Sequence, residues 1–170
     1  MTKILAVLAP ENFRDEEYTH PREVWEQSGA TVMTTSTSPK SIGRFNTEVK
    51  NDFLLNEVNV DDFDAIFFVG GGGCLDFMNN KEAENLAKEF LKNNKAVGAI
   101  CAAPRLFLQW GILDGKKFTG WNGDNTLEDL GSKAGAIFAG GSIVIDGKIL
   151  TASGPDSAKE AGEKFLTIIS

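Results

Sequence analysis

The sequence predicts a three-layer α/β sandwich built on a mainly parallel sheet. Short apolar runs alternate along the chain with longer segments of helical periodicity, a pattern typical of parallel strands covered by helices on both faces. The apolar runs are continuous rather than alternating, as expected of strands that are buried on both faces. The 170 residues are enough for one core, and no linker, repeat or low-complexity segment divides them. We therefore expect a single domain over residues 1–170.

The first third of the chain contains two predicted strands and one helix. An apolar run predicts a strand at 4–8, and the helical spacing that follows predicts a helix over 17–29, ending at a glycine. A second short strand is predicted at 30–35. Residues 36–62 lack a regular pattern, and we expect a small hairpin or an excursion of the chain there.

The middle third repeats the alternation more strongly. The run Ala65-Ile66-Phe67-Phe68-Val69 predicts a buried strand that is stopped by four glycines at 70–73. Apolar residues at helical spacing then predict an amphipathic helix over 80–94. A further buried strand is predicted at 96–100, followed by a helix over 102–110.

The last third completes the sheet and its covering layer. A short helix is predicted at 126–133 and a strand at 134–138. Two apolar segments flank Asp146-Gly147, a favoured two-residue turn, so residues 143–151 are predicted to form a hairpin. Apolar positions at helical spacing predict a final helix from Pro155 to about Ile169.

Composition and charge exclude several classes of function. The formal charge is −7, so phosphate backbones and anionic lipid surfaces would repel the chain, and neither nucleic acid nor a membrane is expected as a partner. Two cysteines and one histidine make neither a disulfide framework nor a typical zinc site, and we expect no metal or cofactor. The N-terminal apolar run is too short for an export signal, so we expect a cytoplasmic protein.

In sheets of this kind the working site lies beyond the carboxyl ends of the strands. That rule points to three loops, at 9–17, 70–74 and 101–104. In the third loop, Cys101 stands between a buried strand and a helix among small residues, as in a nucleophile elbow. The helix N-terminus is expected to lower the pKa of its thiol. From the local sequence alone, a small buried cysteine at a strand end is an equally good interpretation.

The other two loops are ambiguous by themselves. The glycines at 70–73 expose backbone N–H groups that favour an anion, but a tight turn explains them as well. The acids Asp15, Glu16 and Glu17 suit the start of a helix, although one of them could point into the cleft and move protons.

Taken together, these motifs resemble the ThiJ/PfpI superfamily, also called the DJ-one family. Phe13, Asp15, Glu17 and Pro21 fit its Phe-Glu-Glu-x-Glu-x-x-x-Pro segment. The stretches 68–71 and 99–104 fit its glycine turn and its Ala-Ile-Cys-x-Gly-Pro elbow, with Val69 in place of proline; the late hairpin and residues 151–155 also fit. The resemblance covers essentially the whole chain and implies a flavodoxin-like fold and a homodimer.

The resemblance also implies the site. Cys101 would be the reactive thiol and Glu17 the carboxyl that shares a proton with it. The anion pocket would comprise the backbone at Gly70, Gly71 and Ala102.

Several positions depart from the family pattern or lie near the expected site. Ala102 stands where protease-like members have histidine and isonitrile hydratases a hydroxyl residue, so neither activity is expected. Trp121 takes a position that is often His or Tyr, and it would line or fill the pocket. Asp15 and His20 are further candidates for the pocket wall, although His20 also suits a solvent-facing position. Cys74 is a possible redox residue, either resolving an oxidised Cys101 or lying on the surface, or a loop cysteine without function.

The function expected from the resemblance is a cofactor-independent cysteine enzyme for small reactive carbonyls, of the glyoxalase III or deglycase kind, converting methylglyoxal to lactate. The alternative is a redox-responsive protective protein whose Cys101 is oxidised to sulfinate without significant catalysis. The small-molecule partner would accordingly be an aldehyde or an oxidant. A hydrolase or lyase with another small substrate stays open as a third interpretation.

Overall fold

The computed structural model describes residues 1–169, which form twelve strands and five α-helices. The strands are β1 (Lys3–Val7), β2 (Glu11–Phe13), β3 (Thr31–Ser36), β4 (Lys40–Gly43), β5 (Glu48–Lys50), β6 (Phe53–Leu54), β7 (Ala65–Phe68), β8 (Ala96–Ile100), β9 (Lys117–Phe118), β10 (Ile137–Phe138), β11 (Ile143–Asp146) and β12 (Ile149–Ala152). The helices are α1 (Asp15–Gln27), α2 (Lys81–Lys92), α3 (Pro104–Gln109), α4 (Leu127–Lys133) and α5 (Ala158–Leu166). No helix within 1–169 is long and apolar enough to cross a membrane.

Seven strands make the central sheet, in the order β11-β12-β8-β7-β1-β3-β6. All neighbours are parallel except β11, which pairs antiparallel with β12 as the second arm of the predicted hairpin. The chain steps from β1 to β3 in one direction and from β7 to β8 in the other. Because such crossovers are right-handed, α1 and α2 cover opposite faces of the sheet. The predicted α/β fold with a mainly parallel sheet is confirmed.

The two faces of β7 show how the core is divided. Phe67 faces Trp25 of α1 and Phe165 of α5, with ring centroids 5.2 Å apart in both pairs. The next residue, Phe68, points to the opposite face and packs edge-on against Phe107 of α3 at 5.5 Å. Successive side chains of a strand alternate between faces, so a continuous apolar run supplies both halves of the core. These residues are buried, as the sequence predicts for a strand covered twice.

The structure departs from the predicted elements in its short strands. The hairpin expected within 36–62 forms as β4 and β5, but β2 joins it in a separate three-stranded sheet. The strand predicted at 134–138 is wrong in extent: only β10 forms, and it pairs with β9 outside the central sheet. Two- and three-residue strands leave no periodic signal, because their pairing depends on which backbone lies beside them.

Candidate active site

Cys101 occupies a strained turn between β8 and α3. Its φ is +61°, a left-handed conformation that non-glycine residues seldom adopt. The backbone is held from both sides: the Cys101 N–H donates to the Ala152 carbonyl of β12 at 2.8 Å, and its carbonyl accepts from the Trp121 N–H at 2.8 Å. The side chain remains partly exposed. This is the geometry of the nucleophile elbow that the sequence predicts.

Glu17 lies beside this thiol, in the first turn of α1, and is completely buried. Neither of its carboxyl oxygens has a well-formed hydrogen bond within residues 1–169. The polar groups that act on the carboxyl are the Cys101 thiol and the Gly70 N–H. A side chain at Gly70 would collide with Glu17 Oε2 and the Ile100 carbonyl, so only glycine lets the carboxyl approach the elbow.

The two groups change each other's acidity. Burial raises the pKa of Glu17 to about 7, although the Cys101 thiol and the charge of Arg14 oppose the change. Burial and then the negative charge of Glu17 raise the pKa of Cys101 to about 12. The expectation of a lowered thiol pKa is therefore wrong, because burial and then the nearby Glu17 charge outweigh the backbone N–H groups of Gly71 and Ala102, which favour the anion. Near neutral pH, Glu17 is the group that exchanges a proton.

Two backbone amides face the sulfur. The N–H groups of Gly71 and Ala102 act on the thiol so as to favour its anion. Gly71 has φ of +96°, and a Cβ there would collide with the backbone nitrogen of Arg14, so the turn requires glycine. The N–H of Gly70, by contrast, faces Glu17. Of the three predicted pocket residues, only Gly71 and Ala102 therefore direct their N–H groups to the sulfur.

Cys101 opens into a cavity of about 490 Å3. Trp121 forms part of its wall and is 43% exposed, so this side chain lines the pocket rather than filling it. The Arg105 guanidinium lies over the Trp121 ring, 5.4 Å from the centroid. The lining residues are Arg14, Glu17, Arg44, Gly71, Gly72, Leu75, Cys101, Ala102, Arg105, Trp121, Asp124 and Pro155.

Two residues predicted for the pocket wall lie outside it. The buried Asp15 carboxylate accepts hydrogen bonds from the backbone N–H groups of Phe45 at 2.8 Å and Thr47 at 2.9 Å. Burial opposes ionisation of Asp15, but hydrogen bonds from the Thr47 side chain and from these backbone N–H groups outweigh it and lower its pKa. The residue therefore fixes the turn between β4 and β5. His20 is exposed on α1 and does not line the cavity.

Cys74 is not a surface residue. It lies in the 3-10 turn Gly72–Phe77, is 1% exposed, and its N–H donates to the Gly71 carbonyl at 3.2 Å. Burial and nearby negative charges, including Cys101, raise the pKa of its thiol. Cys74 packs beneath the glycine turn, and a role as a buried core residue accounts for it.

The sequence prediction missed three arginines of the cavity: Arg14, Arg44 and Arg105. Arg14 lies in the loop 9–17 that the strand-end rule selects, and Arg105 lies in α3, directly after the selected loop 101–104. Arg44 has no such signal, because it lies in the irregular stretch 36–62 and reaches the cavity only through the fold. Within the described chain, no cluster of three or more His, Cys, Asp or Glu side chains could hold a metal ion.

The fold and the site define a class of protein: a flavodoxin-like α/β domain with a cysteine on a nucleophile elbow and a buried carboxyl beside it. Comparison with known families identifies the class more closely. The model of the DJ-1/PfpI family matches residues 2–168, and the chain belongs to that family.

Individual relatives agree with this assignment. An uncharacterized protein of Methanocaldococcus jannaschii is 39% identical over 98% of this chain and 82% of its own length. YraA of Bacillus subtilis, which carries the name of a putative cysteine protease, is 30% identical over 99% of both chains. A ThiJ/PfpI domain protein of Brachyspira murdochii superposes with a TM-score of 0.92 at 30% identity, covering 98% of this chain and 95% of its own. Oxidized DJ-1 of Toxoplasma gondii shares the fold, with a TM-score of 0.87 at 23% identity over 99% and 90% of the two chains.

Proposed function

We propose that this protein is a cofactor-independent cysteine enzyme that converts small 2-oxoaldehydes, such as methylglyoxal, into 2-hydroxy acids. The observation that carries the proposal is the juxtaposition of Cys101 and Glu17. A partly exposed thiol on a strained turn opens into a cavity, and a fully buried carboxyl with a pKa near neutrality lies against it. A nucleophile with an adjacent base of that pKa is suited to carbonyl chemistry at neutral pH.

In the first step the thiol adds to the aldehyde. Ionised Glu17 takes the proton from the thiol while Sγ bonds to the aldehyde carbon, whose C=O π electrons move to oxygen. That oxygen then receives the proton from Glu17, giving a hemithioacetal. Because the thiol pKa is raised, activation depends on this transfer at the moment of attack rather than on a standing thiolate. The N–H groups of Gly71 and Ala102 offer donors to the charge that develops beside the sulfur.

In the second step the adduct is isomerised. Ionised Glu17 removes the hydrogen of the former aldehyde carbon as a proton; the electron pair forms a C=C bond to the neighbouring carbon, and the electrons of its C=O bond move to oxygen, giving an enediolate. The hydroxyl proton on the former aldehyde carbon passes to that oxygen, and Glu17 returns its proton to the neighbouring carbon as the C=O bond forms at the former aldehyde carbon. The product is a 2-hydroxy thioester, and water cleaves it to the acid and free Cys101. The sum is addition of one water to the oxoaldehyde, with no external oxidant or reductant.

The test is conversion of methylglyoxal to lactate, followed by product analysis. Cys101→Ala is expected to abolish turnover, and Glu17→Gln to reduce it by about 100-fold or more, the usual contribution of a general base. Cys74→Ala is the matched control and is expected to retain turnover, because Cys74 is buried outside the cavity. The wild-type rate is expected to rise through pH 7 with ionisation of Glu17. Turnover that survives Cys101→Ala would refute the proposal.

A redox role is the second candidate, supported by the two amides at the sulfur. A Cys101 sulfinate would place its oxygens toward the N–H groups of Gly71 and Ala102, and neutral Glu17 could donate to it. Two equivalents of hydrogen peroxide would oxidise the thiol to sulfinic acid and yield two waters. Mass spectrometry after limiting peroxide tests this candidate. The raised pKa of the Cys101 thiol does not separate the two candidates, because thiolate is the reacting form in both.

The site gives less support to peptide hydrolysis. His20, the single histidine of the chain, is exposed outside the cavity, so no Cys–His dyad forms. Ala102, directly after the cysteine, supplies no other base.

A further inference from the structure

The cavity around Cys101 is lined by positive charge, although the chain as a whole carries −7. Three arginines reach it from three separate parts of the fold: Arg14 precedes α1, Arg44 lies in the turn between β4 and β5, and Arg105 belongs to α3. The acidic lining groups are Glu17, which the mechanism uses, and Asp124. The local balance of charge is therefore opposite to that of the molecule.

The three arginines are not equally neutralised. Arg105 donates to both oxygens of Asp124, at 2.9 and 3.0 Å. Arg14 forms an ion pair with Glu16 at 2.8 Å. Arg44 has no carboxylate partner among residues 1–169, so the cavity wall presents one unpaired guanidinium.

Arg44 and Arg14 both lie against the ring of Phe45. The guanidinium carbons of Arg14 and Arg44 lie 5.0 and 5.8 Å from the centroid of the same ring, that of Phe45. The backbone of this turn is fixed at both ends: Arg44 N–H donates to the Phe13 carbonyl at 2.8 Å, and Asp15 binds the N–H groups that follow. An anion bound in the cavity beside this ring gains from both guanidiniums, and mainly from that of Arg44, because Arg14 already pairs with Glu16.

We propose that the substrate carries an anionic group, a carboxylate in the simplest case, which binds at Arg14 and Arg44 while the reacting carbonyl meets Cys101. The identity of the reacting group rests on the proposed function, whereas the preference for an anion rests on the arginines alone. Arg14 links the two positions, because the charges of Glu17 and Cys101 both act on its guanidinium. The planar forks of two arginines match a carboxylate better than a neutral carbonyl compound.

The preference can be measured without any catalytic turnover. Iodoacetate and iodoacetamide have nearly the same size and alkylate the same thiol, but only iodoacetate is anionic. The rate ratio of iodoacetate to iodoacetamide at Cys101, followed by peptide mass spectrometry, is compared with the same ratio for 2-mercaptoethanol. We expect the ratio at Cys101 to be about two- to fivefold higher, since one exposed charge pair contributes up to about that factor.

Two variants make the comparison specific. Arg44→Gln is expected to lower the ratio about two- to fivefold. Arg22→Gln removes the same charge from the exposed side of α1, where Arg22 pairs with Glu26 at 2.7 Å, and is expected to leave the ratio unchanged. In the unmodified protein the ratio should also fall between about 0.01 and 1 M salt, as the Debye length shortens from about 30 to about 3 Å. A ratio no higher than that of 2-mercaptoethanol, or an equal fall in both variants, would overturn the proposal.

A second arm separates this inference from the proposed function. The substrates are 4,5-dioxopentanoate, a 2-oxoaldehyde with a carboxylate, and its neutral methyl ester. We expect a higher kcat/KM for the acid and loss of that preference in Arg44→Gln. An elevated alkylation ratio without turnover of either compound would refute the enzyme but keep the anion site. Equal turnover of both, with an ordinary alkylation ratio, would keep the enzyme and refute the anion site.

Discussion

Replacing Glu17 with glutamine is expected to stabilise the protein at pH 8 while strongly reducing its proposed activity. The substitution keeps the size of the side chain but removes a charge that is completely buried. Burial raises the pKa of Glu17 from 4.5 to about 7. The folded state therefore holds its proton more tightly than the unfolded chain, and this stabilisation is lost as pH rises through 7.

The size of the effect follows from the two pKa values. At about 1.4 kcal/mol for each pH unit, moving from 4.5 to about 7 amounts to about 3 kcal/mol at alkaline pH. The glutamine amide leaves its own polar atoms buried, which costs about 1–2 kcal/mol at every pH. We therefore expect Glu17→Gln to be more stable than wild type by about 1–2 kcal/mol at pH 8. Between pH 5.5 and pH 8 its advantage should grow by about 2 kcal/mol, because the amide contribution cancels.

The assay is urea denaturation at both pH values, followed by the fluorescence of the buried Trp25 and Trp110. Glu16→Gln is the matched control. The hydrogen-bonded ion pair with Arg14 lowers the pKa of Glu16 below 4.5, so the stability that ionised Glu16 contributes is lost only as pH falls below that range. The effect of Glu16→Gln on stability should therefore be the same at pH 5.5 and pH 8. An advantage of Glu17→Gln that does not change with pH, or a wild type that is more stable at pH 8, would refute the reasoning.

Three further substitutions test the geometry around the site. Asp15→Asn should destabilise the protein by about 1–3 kcal/mol in urea denaturation, because the carboxylate binds two backbone N–H groups of the turn at 43–47; an unchanged midpoint would contradict this. Cys101→Gly should be about 1 kcal/mol more stable than Cys101→Ala, since φ of +61° suits glycine, and equal thermal midpoints would argue against strain. Gly98→Ala should cost about 1–3 kcal/mol, because its Cβ would collide with the Phe67 ring, and a neutral effect would show that the ring can move.

Much of this protein can be predicted from local sequence. Continuous apolar runs at β1, β7 and β8 predict strands buried on both faces, and the Phe67-Phe68 pair supplies aromatic side chains to both halves of the core. The strand-to-helix junction at Cys101 predicts the elbow, because a turn between adjacent elements depends on neighbouring residues. Local sequence leaves Asp15, Glu16 and Glu17 as alternatives, and only the resemblance to the family motif selects Glu17, which the structure places beside the thiol.

The remaining features depend on contacts between distant parts of the chain. Asp15 and Glu17 have the same charge and lie two residues apart, yet only Glu17 faces the sulfur, because such positions point to different sides of a helix. Arg44 enters the site through pairing of β2 with β4. Contacts between distant parts of the chain also decide whether the pKa of Cys101 is raised or lowered. A helix N-terminus is a local feature that favours the thiolate, but burial and the Glu17 charge come from tertiary packing, and in a buried site they are the larger effects.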